Sequence, residues 1–361
     1  MLGKHWMPSN FLLKLFPYSD KSRLTGRAIH TATQKTALFH RSIMKDKDIQ
    51  AIKGLAIIGV VIHHIVNRRL DPSVKHWVGM ISFSFSWCIF AFLAVSGWLH
   101  ALSEERKKKT VADFARTRAL RLLMPFILLV TTYSIIWQVI QAVGAFDVRG
   151  DLPPTLCGKL AASLWPSGTG AVAAQLYFLP LLFAISLGIH VMLRLGGVRT
   201  LVILSMLGFA LGIIYFPNAN NTGFSLGVFV WGSFSYLGGF LLHAFRTVSF
   251  RIPALLCLLT LGVATAGLPF LLKLFALFLL ACARHTRLAS LPIFTIIGEA
   301  SGTIYAYHAP FILQPMMLTV ARIKNIPLAF ILALVAAAVS IAICSIMYFQ
   351  LKNTRFQRIL M

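Results

Sequence analysis

Residues 122–143, LLMPFILLVTTYSIIWQVIQAV, form an uncharged run, and Arg116, Arg118 and Arg121 stand directly before it. A helix needs about 20 mostly apolar residues to cross roughly 30 Å of hydrocarbon. This run is long enough, and it does not alternate with period two as a barrel strand would. It therefore reads as a transmembrane helix entered through a cluster of arginines. Comparable runs recur along the chain, and ten spans are expected: 51–66, 77–101, 119–143, 173–193, 200–216, 225–245, 252–267, 268–283, 302–321 and 327–351. The expected fold class is an all-α polytopic transmembrane bundle with cytoplasmic N- and C-termini.

Composition agrees. Of 361 residues, 58% are hydrophobic and 12% charged, and the mean hydropathy is +0.78. A soluble domain carries about a quarter charged residues, so lipid is the expected solvent. A net charge of +24 raises the question of nucleic acid, but the Lys and Arg residues gather in short loops between apolar runs, as the positive-inside rule produces. No nucleic-acid partner is expected. With the N-terminus inside, 26 of the 34 Lys and Arg fall on the cytoplasmic side and 7 outside, with Lys273 within a span. The five cysteines (Cys88, Cys157, Cys257, Cys282 and Cys344) include no CxxC pair, and they suggest neither a disulfide framework nor a metal site. No metal is expected.

Residues 1–44 read as a basic arm, disordered or an extended start, because 1–43 hold seven Lys and Arg against the single acid Asp20 and lack the apolar core of a signal peptide. Residues 45–351 form the membrane domain, and 352–361 a basic cytoplasmic tail. The longest outer loop, 144–172, has room for a short amphipathic element.

Ionisable residues inside a membrane are functional suspects because burying them is unfavourable. Lys53 and His64 are eleven positions apart in the first span, on one helix face and roughly 16 Å apart along the axis. A neutral imidazole there suits a general base; equally, Lys53 can be a cytoplasmic flank and His64 an interfacial residue. Arg118 and Arg121 share a helix face and suit phosphate oxygens, or serve as a positive-inside anchor. Glu104-Glu105-Arg106-Lys107-Lys108-Lys109 reads as a solvated charge run. Ser96-Gly97 permits close helix approach, and a nucleophilic Ser96 would require a base and an oxyanion site that the pair does not itself supply. The stretch from Glu299 through Ser301, Gly302, Tyr305 and Tyr307 to His308 sets Tyr305 and His308 on one face. It can form a buried polar network with the first span, or consist of interfacial tyrosines and a packing histidine.

In order and spacing these segments resemble membrane-bound acyltransferase family 3, the multi-span O-acyltransferases of polysaccharides and other glycans. The likeness spans nearly all of 45–350. It rests on Lys53-x10-His64, the aromatic Ser-Gly segment (Phe92, Ser96, Gly97), Arg118-x-x-Arg121, Leu176-Tyr177-Phe178-Leu179, and Ser301-x3-Tyr305-x2-His308. The family more often has Trp at Tyr177 and Tyr at Gly302. The resemblance implies O-acetylation-like chemistry, with acyl-CoA (acetyl-CoA by default) as co-substrate, no bound cofactor, and a glycan or lipid-linked sugar as acceptor. It implies His64, Tyr305 and His308 as catalytic residues and Lys53, Arg118 and Arg121 as donor-binding residues. Ser96, Tyr177, Glu299 and Ser301 are supporting candidates. It also implies a place in the bacterial cytoplasmic (inner) membrane, with polysaccharide-synthesis proteins as partners that could finish the transfer. The competing readings are a secondary transporter of a lipid-linked sugar or small acid, and a non-catalytic membrane component of polysaccharide synthesis. Missing repeats and few intramembrane acids weigh against the transporter.

Overall fold

Helices are the only elements that can satisfy their own backbone in hydrocarbon without closing a barrel, and among the described residues every regular element is a helix. The computed structural model describes residues 28–65, 84–142, 153–164, 174–215, 226–245, 268–282, 287–320, 323 and 325–354, with side chains from residue 47 onward except at 164, 174, 268–273, 287, 289, 310, 311, 314, 318 and 326. The chain divides into two units, 1–44 and 45–361; residues 1–27 and the expected span 252–267 lie outside the described residues.

In chain order the helices are α1 (Ala28–Ile65), α2 (Cys88–Arg106), α3 (Val111–Ala142), a short α4 (Leu156–Leu164), α5 (Phe178–Tyr215), α6 (Leu226–Ala244), α7 (Leu268–Cys282), α8 (Pro292–Glu299), α9 (Ser301–Tyr307), α10 (Gln314–Val320) and α11 (Ile326–Leu351). The first helix begins at Ala28, earlier than the expected span, since no proline or glycine interrupts the chain between Ala28 and Gly54. The amphipathic element expected in loop 144–172 is α4. Its Lys159 is fully buried and donates to Gln138 Oε1 at 2.7 Å and the Pro154 carbonyl at 3.2 Å. Burial lowers the pKa of that ammonium.

Among the described residues, five helices are long and apolar enough to cross a membrane: Lys47–Ile65, Val111–Ala142, Gln175–Tyr215, Leu226–Ala244 and Pro327–Leu351. The third of these has 41 residues, about 60 Å at 1.5 Å per residue, twice the hydrocarbon thickness. It breaks at Gly197, whose φ of 67° and ψ of −164° are not helical. The run is thus two arms, 175–196 and 198–215, close to the expected fourth and fifth spans. The expected ninth span is also continuous in helical form, but its middle, His308–Leu313, widens into a π-helical turn between α9 and α10. Pro310 within it has no N–H to give to an α-helical ladder.

The core runs through α2, α5, α6 and α7, with α9, the π-turn and α11 forming a second contiguous group. Glycines let the backbones touch. A Cβ on Gly97 would lie 1.9 Å from the Tyr236 carbonyl oxygen, and one on Gly239 1.9 Å from that of Ala94, so α2 and α6 cross at reciprocal glycines. Gly54 and Gly298 do the same between α1 and α8: their Cβ atoms would fall 1.9 Å from Phe294 O and 1.8 Å from Gln50 O.

Candidate active site

The π-turn opens at His308, directly after the helix that carries Tyr305, and the His308 ring lies beside the first span. The His64 and His308 ring centroids are 5.2 Å apart, and His63 stands edge-on to His64 at 5.8 Å. His308 is fully buried. Its Nδ1 lies 2.6 Å from the Ile304 carbonyl oxygen. A carbonyl only accepts, so Nδ1 carries the proton and, in the neutral ring, Nε2 carries the lone pair. That Nε2 is buried and makes no hydrogen bond to any described residue. The Ser340 hydroxyl donates to the His308 carbonyl at 3.3 Å, tying the π-turn to α11.

Tyr305 extends the site toward the start of α5. Its hydroxyl donates to the Gln175 carbonyl, and its ring lies 5.6 Å from Phe178. Phe178 in turn lies 6.3 Å from Phe92 on α2. Tyr177 is half-buried beside this row. Ring contacts thus link four of the sequence segments in a row, the Ser-Gly segment to 176–179, 176–179 to 301–308, and 301–308 to the first span through the pair of histidines. Next to them Tyr133 on α3 donates to the Ala306 carbonyl at 2.5 Å, which holds α9 from the other side.

The remaining candidates fall elsewhere. Gly97 has the packing role, and Ser96 beside it is half-buried. Ser301 is buried at the start of α9. Gly302 faces open space, so the tyrosine usual in the family at that position would have room. Lys53 donates to Gln50 Oε1 at 3.1 Å, one turn back on its own helix. Glu299 is 40% exposed and pairs with Lys352 at 2.9 Å, and it also lies near enough to Lys53 of the first span to act on its charge. That hydrogen bond raises the Lys352 pKa. Deeper along the same two segments His64 meets His308.

Arg118 and Arg121 project from the first turns of α3, which Thr110 caps by accepting from the Asp113 N–H at 3.1 Å. Arg121 is exposed and Arg118 half-buried, with its guanidinium 5.2 Å above the Phe114 ring. Phe114 stacks on His190 at 4.0 Å and on His100 at 4.7 Å. Here the expectation of a solvated charge run is corrected. Arg106, Lys107 and Lys108 are exposed, but the Glu104 side chain is only 11% exposed and pairs with Arg194. Glu105 pairs with buried His243 at 3.1 Å. The reason is helical spacing: Glu104 lies one turn after His100 and shares its inward face. His190 and His243 are not among the residues the sequence singles out, although each stands in an apolar span and the rule applied to His64 would find both.

Comparison with known proteins adds one match. The acyltransferase-domain family model, acyltransferase family 3, covers residues 46–348. No curated protein and no solved structure matches the chain. The matched region contains every helix segment that meets at His64 and His308, and the helices that carry it are apolar enough to cross a bilayer several times. The chain belongs to acyltransferase family 3 and is a multi-pass membrane enzyme that transfers acyl groups other than amino-acyl groups.

Proposed function

We propose that this enzyme moves an acyl group, acetyl in the simplest case, from acyl-CoA on the cytoplasmic side to a hydroxyl of a cell-envelope sugar or polysaccharide, in the bacterial cytoplasmic membrane. The observation that carries this reading is the approach of His64 and His308, ring centroids 5.2 Å apart, within an apolar helical body. Two imidazoles at one point suit proton transfer from an alcohol near neutral pH. His64 takes the proton of the acceptor hydroxyl as its oxygen attacks the thioester carbonyl. The carbon–sulfur bond then breaks, and the proton passes to the departing CoA thiolate. Acyl–sulfur and oxygen–hydrogen bonds are exchanged for acyl–oxygen and sulfur–hydrogen bonds.

The oxyanion between these steps requires fixed donors. Tyr305 serves once its hydroxyl releases the Gln175 carbonyl; His308 serves once Nε2 is protonated. Arg118, Arg121 and Lys53 supply cations for the CoA phosphates, with the two guanidiniums on one face of α3. A hydroxyl-bearing glycan is the acceptor that the family resemblance supports, and a separate polysaccharide-synthesis protein can receive the product.

The test is acetyl-CoA turnover by purified protein in nanodiscs with a glycan acceptor, wild type beside His64→Ala. Turnover in the variant falls by about 10²–10⁴-fold, with thermal stability and CoA binding retained. Full turnover in the variant removes His64 from the chemistry. Absence of turnover and CoA binding in the wild type, across several acyl-CoAs, overturns the donor assignment.

A further inference from the structure

The cluster under Arg118 has a geometry that the proposed transfer does not use. His100 and Glu104 project from one face of α2, and His190 faces them from the first arm of α5. Both helices pack on α6. His100 Nε2 lies 3.1 Å from His190 Nδ1. Glu104 Oε1 lies 4.0 Å from the first nitrogen and 3.7 Å from the second. One ligand atom from each residue thus falls within 4.8 Å of the other two. Ligand atoms bonded to a tetrahedral zinc at about 2.0–2.1 Å stand roughly 3.3 Å apart, so shifts below an ångström would place all three on one ion.

Burial and outer partners point the same way. The two histidines are 1% and 0% exposed, and Glu104 Oε1 is buried without a hydrogen bond to any described residue. The second nitrogen of His100, Nδ1, shares a hydrogen bond of 3.1 Å with the Tyr236 hydroxyl. The second oxygen of Glu104 accepts from Arg194. Outer groups of this kind orient metal-binding imidazoles and carboxylates. Arg194 pairs with the cluster's carboxylate through Oε2, Arg118 and Lys109 also lie near enough to act on His100, and Oε1 lies on the side of the imidazoles.

We propose that His100, Glu104 and His190 bind one divalent transition-metal ion of the zinc class, with water in the fourth position. Imidazole and carboxylate donors in a compact tetrahedral arrangement suit zinc over calcium or magnesium, which take more oxygen ligands. The ion cross-links α2 to α5 beneath the Phe114 ring that carries Arg118, and so braces the end of the bundle from which the two arginines project. This departs from the expectation drawn from the scattered cysteines, which gave no metal site: none of the three ligands is a cysteine, and His190 is 86 residues away from Glu104.

The experiment is elemental analysis of full-length protein purified in detergent without chelator or affinity metal, followed by zinc and cobalt(II) addition to chelator-treated protein. About one ion per chain is expected in the wild type, and less than about a tenth of that in His190→Ala and Glu104→Gln. His243→Ala, which removes the neighbouring Glu105 pair and the ring beside Trp98 but none of the three ligands, retains the ion and serves as the folding control. Zinc raises the thermal midpoint of chelator-treated wild type and leaves that of Glu104→Gln unchanged. Should the variants fail to fold, cobalt(II)-loaded wild type still decides: strong visible bands of a tetrahedral centre, with two imidazoles in its X-ray absorption shell, support the site. A wild type that binds neither zinc nor cobalt overturns the proposal and leaves a hydrogen-bonded histidine pair. A bound ion retained by both ligand variants overturns it as well, by placing the metal elsewhere.

Discussion

A single hydrogen bond decides what His308 can do. With Nδ1 committed to the Ile304 carbonyl at 2.6 Å, the lone pair sits on Nε2, and the ring enters the reaction as an acceptor of protons before it can donate any. Its backbone is fixed as well, since the Ser340 hydroxyl donates to its carbonyl. A ring so fixed loses little by way of reorganisation when charge develops nearby. Replacing it should therefore affect the chemical step and not the capture of the donor. We expect His308→Ala to lower kcat by about 10²-fold or more while the dissociation constant for CoA stays within about threefold. Steady-state kinetics alongside equilibrium CoA binding checks this. A variant with normal kcat would make His308 a packing residue, and one that loses CoA binding in proportion would make it part of the donor site. His64 and His308 are each legible as intramembrane histidines in sequence, but their contact is not. They are 244 positions apart, and no local spacing rule reports which two of many spans adjoin.

At the scale of elements the bundle is organised by where backbones can touch. Gly97 and Gly239 bring α2 and α6 together so closely that a methyl group at either position would overlap a carbonyl oxygen of the other helix. A backbone atom cannot swing aside as a side-chain tip can, so the helices themselves must separate. Gly97→Ala and Gly239→Ala should each destabilise the protein by about 1–3 kcal/mol. The opposite sign is expected at Gly188 and Gly208, which lie within helical arms and where an added methyl group would meet nothing within 4 Å. There alanine should stabilise by roughly 0.5–1 kcal/mol through lower entropy of the unfolded chain. Thermal unfolding of the four variants in one detergent reads both signs, and equal behaviour at all four positions would refute the packing account. The Ser96-Gly97 pair announces close packing in sequence, and Gly196-Gly197 announces the break between two spans. The π-turn at His308–Leu313 has no such signal, because Pro310 marks an interruption without stating whether the helix bends, widens or ends. Glu104 is misread for a related reason: six charged residues in a row look solvated, and only the face shared with His100 turns the first of them inward.

For the whole molecule the orientation in the membrane governs the mechanism, because donor and acceptor must reach the histidines from defined sides. Lys and Arg retained on the cytoplasmic side are the physical basis of the expected arrangement, and 26 of 34 fall there when the N-terminus is inside. In that orientation the α2–α3 connection, with Arg106, Lys107 and Lys108 exposed, faces the cytoplasm together with Arg118 and Arg121. The loop that contains α4 faces the outside, and Cys157 is exposed on it. A protein whose other cysteines are replaced should then react at Cys157 with a membrane-impermeant maleimide in intact cells whose outer envelope has been opened. Lys107→Cys, in a background without Cys157, should react only after the cytoplasmic membrane is permeabilised. The reverse pattern would put the arginines on the face where CoA is absent, and the phosphate role proposed for them would fail even if His64 remained essential. Labelling of both positions in intact cells would break the layout itself, since one helix, α3, separates the two sites, and its 32 residues are more than enough to cross the bilayer once.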